Sequence, residues 1–302
     1  MNKYKKTIVV FGCTGTVGTP VLRKLLQANC CVRGILRQPN RSYPIPLDGY
    51  NQLSYFSADV ANPKEVEAAC AHADAVFLLT ATHPDQVANE INVINAAKKC
   101  GIKRLIKLSA PNIQPPDLVA VGKWHRKIEA HLDRSDIEYC CLRPYAFMQN
   151  WERNVTTIEK FGFFFGVMND APRNYIDARD VADIAVKFLL QEGPLTHKTV
   201  TLTGPEAISH YDMAERLSRV TNQKIKYINI SKQEWIQNLT TRAKLPLWLA
   251  NHVVELDELA VKVPEPTQDS TEHFLHKKPR LMDAYLQEKK NFFTKKSFWK
   301  IW

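Results

Sequence analysis

Short apolar runs alternate with longer amphipathic stretches through the first half of the chain. The runs fall at about residues 7–12, 31–36, 53–57, 75–80, 103–109 and 137–143, and each predicts a β-strand. Between them, apolar residues recur at helical spacing: Val17, Val21, Leu22, Leu25 and Leu26 mark one face, and Val87, Ile91 and Ile94 another. A further helix is expected over about 119–134, before "SDIEYCCLRP". Strands alternating with helices predict an α/β fold, a parallel sheet with helical crossovers.

After Pro144 the pattern changes. "FGFFFGVMNDAPRNY" is aromatic and punctuated by glycine, which reads as a loop or short strand. "DARDVADIAVKFLL" is amphipathic, with Val181, Ile184, Ala185, Phe188 and Leu189 on one face, and "TVTLTG" reads as a strand. Ser209 with Asp212, and Ser231 with Glu234, are capping boxes that each open a helix. "PLWLANHVVELDEL" is another amphipathic helix, and a last one is expected near 280–291. There is no internal repeat.

A chain of 302 residues can bury one large core or two closely packed ones. No apolar run approaches the roughly 20 residues of a bilayer span, and "MNKYKKTIVVFG" reads as a first strand rather than a signal peptide. The seven cysteines (13, 30, 31, 70, 100, 140 and 141) include no C-x-x-C pair and no cluster at metal-ligand spacing. Two adjacent pairs and an odd total argue against a disulfide framework, so a reducing, cytoplasmic setting is expected and no metal site. Of the formal +10 charge, residues 1–6 supply +3 and residues 271–302 supply +5. The excess is terminal, without a recognisable nucleic-acid-binding motif, which argues for solvated ends rather than a nucleic-acid partner.

The first strand empties into "GCTGTVG", with Gly12, Gly15 and Gly18 spaced G-x-x-G-x-x-G before a helix. Glycines there let backbone approach a pyrophosphate, and N–H groups at the start of the helix face it. Val17 lies in the same loop, and Thr14 and Thr16 add hydroxyl donors. The end of the second strand selects the dinucleotide. A carboxylate there suits a ribose 2′-hydroxyl, but this chain has Arg37, with Arg41 close behind, and guanidinium pairs with a 2′-phosphate. NADP(H) is therefore the expected cofactor. Asp59, in "SADVANP", suits either the adenine amino group or a helix N-cap before Pro63. Thr80 and Thr82 follow the fourth strand, where open α/β sheets bind ligands, and His83 beside them reads as an incidental loop residue.

With "VFGCTGTVG", "ILRQPNR", "ADVANP", "VINAAKKCGIKRLIKLSA", "GKWHRKIEAHLDRSDIEYCCLRPYAFMQN", "YIDARDVADIAV" and "TLTGPEAIS" in this order, the chain resembles the NmrA-like branch of the atypical short-chain dehydrogenase/reductase family. The resemblance implies a Rossmann-type doubly wound parallel sheet that binds NADP(H), and a smaller, mainly helical C-terminal domain that closes a substrate cleft. Residues 1–152 with about 173–203 would form the first, residues 153–172 and 204–293 the second, and 294–302 a basic aromatic tail. The family's cofactor positions fall on Gly12, Thr14, Gly15, Val17, Gly18, Arg37, Asp59, Thr80 and Ser109.

Catalytic members of the wider superfamily use Y-x-x-x-K. Aligned on "KIEAHL", the lysine position falls on His125 and the tyrosine position on Val121, which transfers no proton. His125 then stands as a substitute for the lysine at the nicotinamide ribose, with a helix-surface histidine as the alternative. Tyr145 is a candidate cleft residue or proton donor, and Ser109 matches the superfamily's serine. Phe147 and Met148 read as core. Phe161, Phe163, Phe164 and Phe165 suit either an apolar wall for a flat acceptor or a domain-junction core, as do Trp124 and Trp151. Cys13, inside the glycine loop near a helix start, reads either as an inert loop residue or as a thiol whose pKa is lowered there and whose oxidation makes cofactor binding redox-dependent.

The family resemblance implies two kinds of function. Hydride transfer to a quinone-like or other conjugated small acceptor needs no positioned acid, whereas alcohol-forming ketone reduction does. The missing tyrosine therefore shifts the expected substrate toward such acceptors, and the aromatic cleft candidates favour an NADPH-dependent reductase of them. The alternative, which the missing tyrosine favours, is a non-catalytic NADP(H) sensor that regulates a partner protein. Oligomeric state, monomer or homodimer, stays open.

Overall fold

A computed structural model describes residues 5–38, 43–46, 49–111 and 119–294. In chain order the strands are β1 (Thr7–Val10), β2 (Cys31–Leu36), β3 (Leu53–Ser57), β4 (Ala75–Leu78), β5 (Arg104–Leu108), β6 (Glu138–Pro144), β7 (Ala146–Phe147), β8 (Phe163–Gly166), β9 (Arg173–Ile176), β10 (Thr199–Leu202), β11 (Ala207–Ile208) and β12 (Lys226–Asn229). The α-helices are α1 (Gly18–Gln27), α2 (Pro63–Cys70), α3 (Gln86–Lys99), α4 (Ala120–Leu132), α5 (Val155–Phe161), α6 (Ala178–Leu190), α7 (His210–Thr221), α8 (Lys232–Thr241), α9 (Leu247–Lys262), α10 (Ser270–Leu275), α11 (Met282–Glu288) and α12 (Lys290–Phe293). A 3₁₀ helix covers Met148–Asn154.

Seven strands form one parallel sheet in the order β3-β2-β1-β4-β5-β6-β10. The α/β, doubly wound Rossmann-type fold expected from the sequence is present. Both faces are covered over the centre of the sheet, so β1 and β4 are near-continuous apolar runs rather than alternating, while the edge strands β3 and β10 are partly exposed. In β1, Ile8 and Val10 pack with α1 and α6, while Val9 and the following Phe11 pack with α2, α3 and α4. The chain works outward from β1 to β3 on one side and from β4 to β10 on the other. That reversal opens a crevice at the carboxyl ends of β1 and β4.

β1 and β4 end before their apolar runs do. Phe11 still donates to the Phe77 carbonyl at 3.0 Å, but Gly12 then turns to φ +69°, where the ladder cannot continue. The last residues of each run line the crevice instead.

A second body of packing lies beyond the main sheet. β8 pairs in parallel with β12, and β11, β9 and β7 form a small three-stranded sheet. Trp151, Phe164, Met213, Leu217, Tyr227 and Tyr285 are buried together around these strands. Both capping boxes form, at Ser209/Asp212 for α7 and Ser231/Glu234 for α8. The expected last helix is two short ones, α11 and α12, divided at Lys289. Met148 is buried and Phe147 half-buried against the main core, as expected for core residues.

The phenylalanine run does not make one wall. In β8 successive side chains face opposite ways. Phe164 is buried, stacked on Tyr227 at 5.5 Å with the Trp151 ring edge-on at 5.0 Å. Phe163 and Phe165 lie on the other face, 5.0 Å apart, and Phe161, exposed at the end of α5, stacks on Phe163. Trp151 is core, and Trp124 is half-buried on α4. Among the described residues no helix is long and apolar enough to cross a membrane, and no group of His, Cys, Asp and Glu could hold a metal ion. The tail beyond Thr294 lies outside the described residues.

Candidate active site

The glycine loop sits at the crevice, between the end of β1 and the start of α1. A Cβ on Gly12 would lie 2.5 Å from the carbonyl oxygen of Leu79, and one on Gly18 would lie 2.0 Å from the Gly12 carbonyl oxygen. Both glycines are therefore required by the protein's own packing. Gly15 is different: its Cβ would meet the Gly12 oxygen at 3.2 Å and then only Leu79 at 3.9 Å. A side chain at Gly15 would be tight against that oxygen without the outright clash it meets at Gly12 and Gly18, so of the three glycines Gly15 is the one the protein's own packing demands least. Helix α1 starts beside it with no side-chain cap and no acidic residue in its first turn. Its N–H groups and dipole are thus unopposed by carboxylate, as a pyrophosphate requires. Thr14 and Thr16 are exposed on the loop, and Val17 is buried as the N-cap residue.

Past β2, Arg37 is exposed and pairs with none of the described residues, an unpaired cation at the carboxyl end of the strand. Arg33, on the same strand, is already used: it donates to the Ala69 and Ala71 carbonyls at 2.6 and 2.9 Å, at the end of α2. Arg41 lies outside the described residues. Asp59 is exposed at the crevice side of β3 and accepts from the Ala61 amide at 3.0 Å. The helix-cap reading of Asp59 is corrected: Asn62 is the N-cap of α2, its side chain accepting from the Lys64 amide. These groups fit a dinucleotide carrying a 2′-phosphate: a glycine cradle, an uncapped helix start and an unpaired guanidinium in sequence along the crevice.

Deeper in, two ion pairs lie between the sheet and helices α3 and α4. The first joins Lys107 of β5 to Glu90 of α3 at 2.8 Å, with both side chains fully buried. Glu90 also accepts from Thr80 Oγ1 at 2.8 Å and Gln86 Nε2 at 3.0 Å. Lys107 Nζ also lies 2.9 Å from Nδ1 of His125 on α4. The second joins Arg143 of β6 to Glu129 of α4 through two bonds of 3.0 and 2.5 Å. Ser109 Oγ donates to that same carboxylate at 2.6 Å.

The expected residues Thr80, Ser109 and His125 are therefore drawn into one polar layer at the ends of β4, β5 and β6. Thr82 and His83 are exposed on the loop above it. His83 meets Trp248 of α9 edge-on at 6.0 Å. The helix-surface reading of His125 is corrected, for the residue is 9 % exposed. Burial first, then the Lys107, Arg143 and His252 charges, hold its pKa well below the ordinary histidine value, so the ring is neutral. Val121, one turn earlier on α4, is buried and offers no proton. Tyr145 stands apart. It is half-buried after β6, its hydroxyl bonds none of the described residues, and burial with the nearby Glu265 charge raises its pKa and keeps it protonated.

Sequence reasoning did not find Lys107, Glu90, Glu129 or Arg143. The signal was there: a lysine inside "RLIKL" and an arginine in "CCLRP" occupy strands otherwise bound for the core, where a charge must find a partner.

Of the two readings of Cys13, the redox-dependent one is overturned and the inert one holds. The thiol is fully buried beneath the loop, donates to the Ile35 carbonyl at 3.2 Å, and is pushed up to about 12 by burial. Proximity to a helix start does not activate a thiol sealed in apolar surroundings.

Comparison with known proteins gives the family and the fold. The model of a family described as NAD(P)H-binding matches residues 12–192, more than half of the chain. An NAD(P)H azoreductase of Xenophilus azovorans is 29% identical over 253 residues, covering 84% of this chain and 87% of that protein. A (4-alkanoyl-5-oxo-2,5-dihydrofuran-3-yl)methyl phosphate reductase of Streptomyces griseus is 31% identical over 223 residues, 73% of this chain and 76% of its own. Among solved structures, an NADPH-dependent quinone oxidoreductase of Escherichia coli in complex with NADPH superposes with a TM-score of 0.82 at 20% identity, over 93% of this chain and 99% of that one. NmrA, a negative transcriptional regulator crystallised with NADP, gives 0.77 at 17% identity over 95% of each chain.

Proposed function

The chain belongs to the NAD(P)H-binding family, and on that premise we propose that it is an NADPH-dependent reductase that passes hydride to a quinone-like or other conjugated small acceptor. The observation that carries the reading is the glycine loop. Three glycines bring bare backbone to the crevice, and Gly15, the one the protein's own packing demands least, stands directly before a helix start that no carboxylate opposes. Gly12, Thr14, Gly15, Thr16, Val17 and Gly18 hold the pyrophosphate, Arg37 with Arg41 the 2′-phosphate, and Asp59 the adenine. Thr80, Thr82 and Ser109 face the nicotinamide half, with His125 beside its ribose.

When bound, NADPH supplies the hydride. The chain's part is to hold donor and acceptor together and exclude water. A quinone or azo group that has taken hydride collects its proton from solvent or from Tyr145, so the absence of a tyrosine at Val121 does not block the reaction. The relatives' activities, an azoreductase and a reductase of an unsaturated furanone phosphate, favour acceptors of this class. They do not favour the sensor reading, for which NmrA offers likeness of fold. Residues 1–152 and 173–203 form the cofactor-binding part on this reading, and 153–172 with 204–293 the part that covers the acceptor. Seven cysteines without a disulfide suit a cytoplasmic setting.

The test is steady-state NADPH oxidation by the purified protein against quinones, azo dyes, triphenylmethane dyes and aldehydes. Saturable turnover confined to the conjugated acceptors is expected. Tight NADPH binding with turnover on none of them would contradict the reading.

A further inference from the structure

Lys107 is wholly buried; its ammonium donates to the Leu108 carbonyl at 2.8 Å and to His125 Nδ1 at 2.9 Å, with Glu90 Oε2 as its ion-pair partner at 2.8 Å. A lysine ammonium only donates, so Nδ1 of His125 must accept, and the proton of the neutral ring sits on Nε2. Nε2 bonds none of the described residues. The anchor is held in turn, since Glu90 takes bonds from Thr80 and Gln86 as well. One carboxylate and one ammonium thereby tie the end of β4, the end of β5 and two helices into a single unit beneath the crevice.

We propose that Lys107, anchored by Glu90, is a positioning residue that fixes His125 as a neutral Nε2–H hydrogen-bond donor toward the reacting half of the crevice. Lysine and donor thus come from a strand and a neighbouring helix, rather than from two residues one turn apart on a single helix. The donor's task is to bond the acceptor atom on which negative charge develops as hydride arrives. This rests on the reductase reading for its purpose, but not for its geometry. The groups facing His125 are Lys107 from β5, Arg143 from β6 and His252 from α9, with Glu90 and Glu129 behind the two cations. No carboxylate among them pairs with the ring, so the ring stays neutral.

The experiment is ¹⁵N-histidine NMR on the full chain, with His125 assigned by loss of its signals in His125→Gln. A neutral Nε2–H tautomer is expected to persist from pH 8 down to pH of about 5, below the ordinary histidine value. Lys107→Met alone would strand a buried carboxylate and could unfold the chain, so the variant is Glu90→Gln/Lys107→Met, which removes both charges together. In it, the tautomer preference is lost, the ring titrates nearer the ordinary range, and turnover on an acceptor found for the parent falls at least about tenfold. An Nδ1–H or mixed tautomer in the parent, or an unchanged tautomer and titration in the folded double variant, overturns the proposal. A fixed Nε2–H ring with no turnover on any acceptor overturns the reductase reading and leaves the assignment standing.

Discussion

Gly12 lies so close beneath the end of β4 that a Cβ on it would be 2.5 Å from the carbonyl oxygen of Leu79. This contact holds the first turn of the glycine loop against the neighbouring strand at the point where strand order reverses. Alanine at Gly12 meets that oxygen and a left-handed backbone, φ +69°, costing about 1–2 kcal/mol from the conformation alone. Gly12→Ala is expected to lower stability and NADPH affinity together. Gly15→Ala is expected to separate them in part: its melting temperature falls less than that of Gly12→Ala while NADPH affinity falls more than about tenfold, as calorimetric titration and thermal melts will read.

Arg37 has no partner among the described residues, so its removal should leave the fold intact. A hydrogen-bonded charge is worth about 1.5–3 kcal/mol. Arg37→Ser is therefore expected to weaken NADPH binding by about 10- to 100-fold while NADH binding changes little. Parallel titrations with the two cofactors check it. Equal losses for both would place the 2′-phosphate elsewhere.

The Arg143–Glu129 pair holds Ser109 as well as itself, with side-chain exposures of 17% and 12%. Breaking a buried pair by removing one partner costs about 3–5 kcal/mol, and the lower end applies here because some solvent remains. Glu129→Ala should lose about 3 kcal/mol in urea unfolding, and Glu129→Leu/Arg143→Met clearly less.

His210 sits among the rings of Trp151, Phe164 and Tyr227, and burial pushes its pKa down to about 3. The unfolded chain therefore binds a proton there that the folded chain refuses. Its contribution to stability is full above about pH 6.5 and is lost as pH falls from there toward 3. Thermal melts from pH 7.5 to 4 should fall less steeply in His210→Phe than in the parent.

Cys13 should be inert in the folded protein. At pH 8 a thiol reagent is expected to modify the half-exposed Cys31 and Cys100 first, with Cys13 protected until unfolding, as mass spectrometry will show. Rapid modification of Cys13 in the native state would contradict its placement.

The main sheet was legible because both its faces are buried: runs such as "TIVV" and "AVFL" have no other stable use in a chain of this kind. The glycine loop was legible because φ and close approach admit no other residue at Gly12 and Gly18. The polar layer was not, because Lys107, Glu90 and His125 are far apart in sequence and meet only when β5, α3 and α4 pack. Cys13 stayed open between two readings for a related reason. Its place in the loop is local, but its burial beneath β2 is tertiary, and burial decides the thiol's pKa.

The most direct measurement mixes the protein–NADPH complex with a quinone, without oxygen, in a single turnover. The account predicts that nicotinamide absorbance disappears in step with the quinone, one for one, and that Gly15→Ala abolishes this at the same cofactor concentration. NADPH that stays reduced on the protein, whichever conjugated acceptor is supplied, would contradict it.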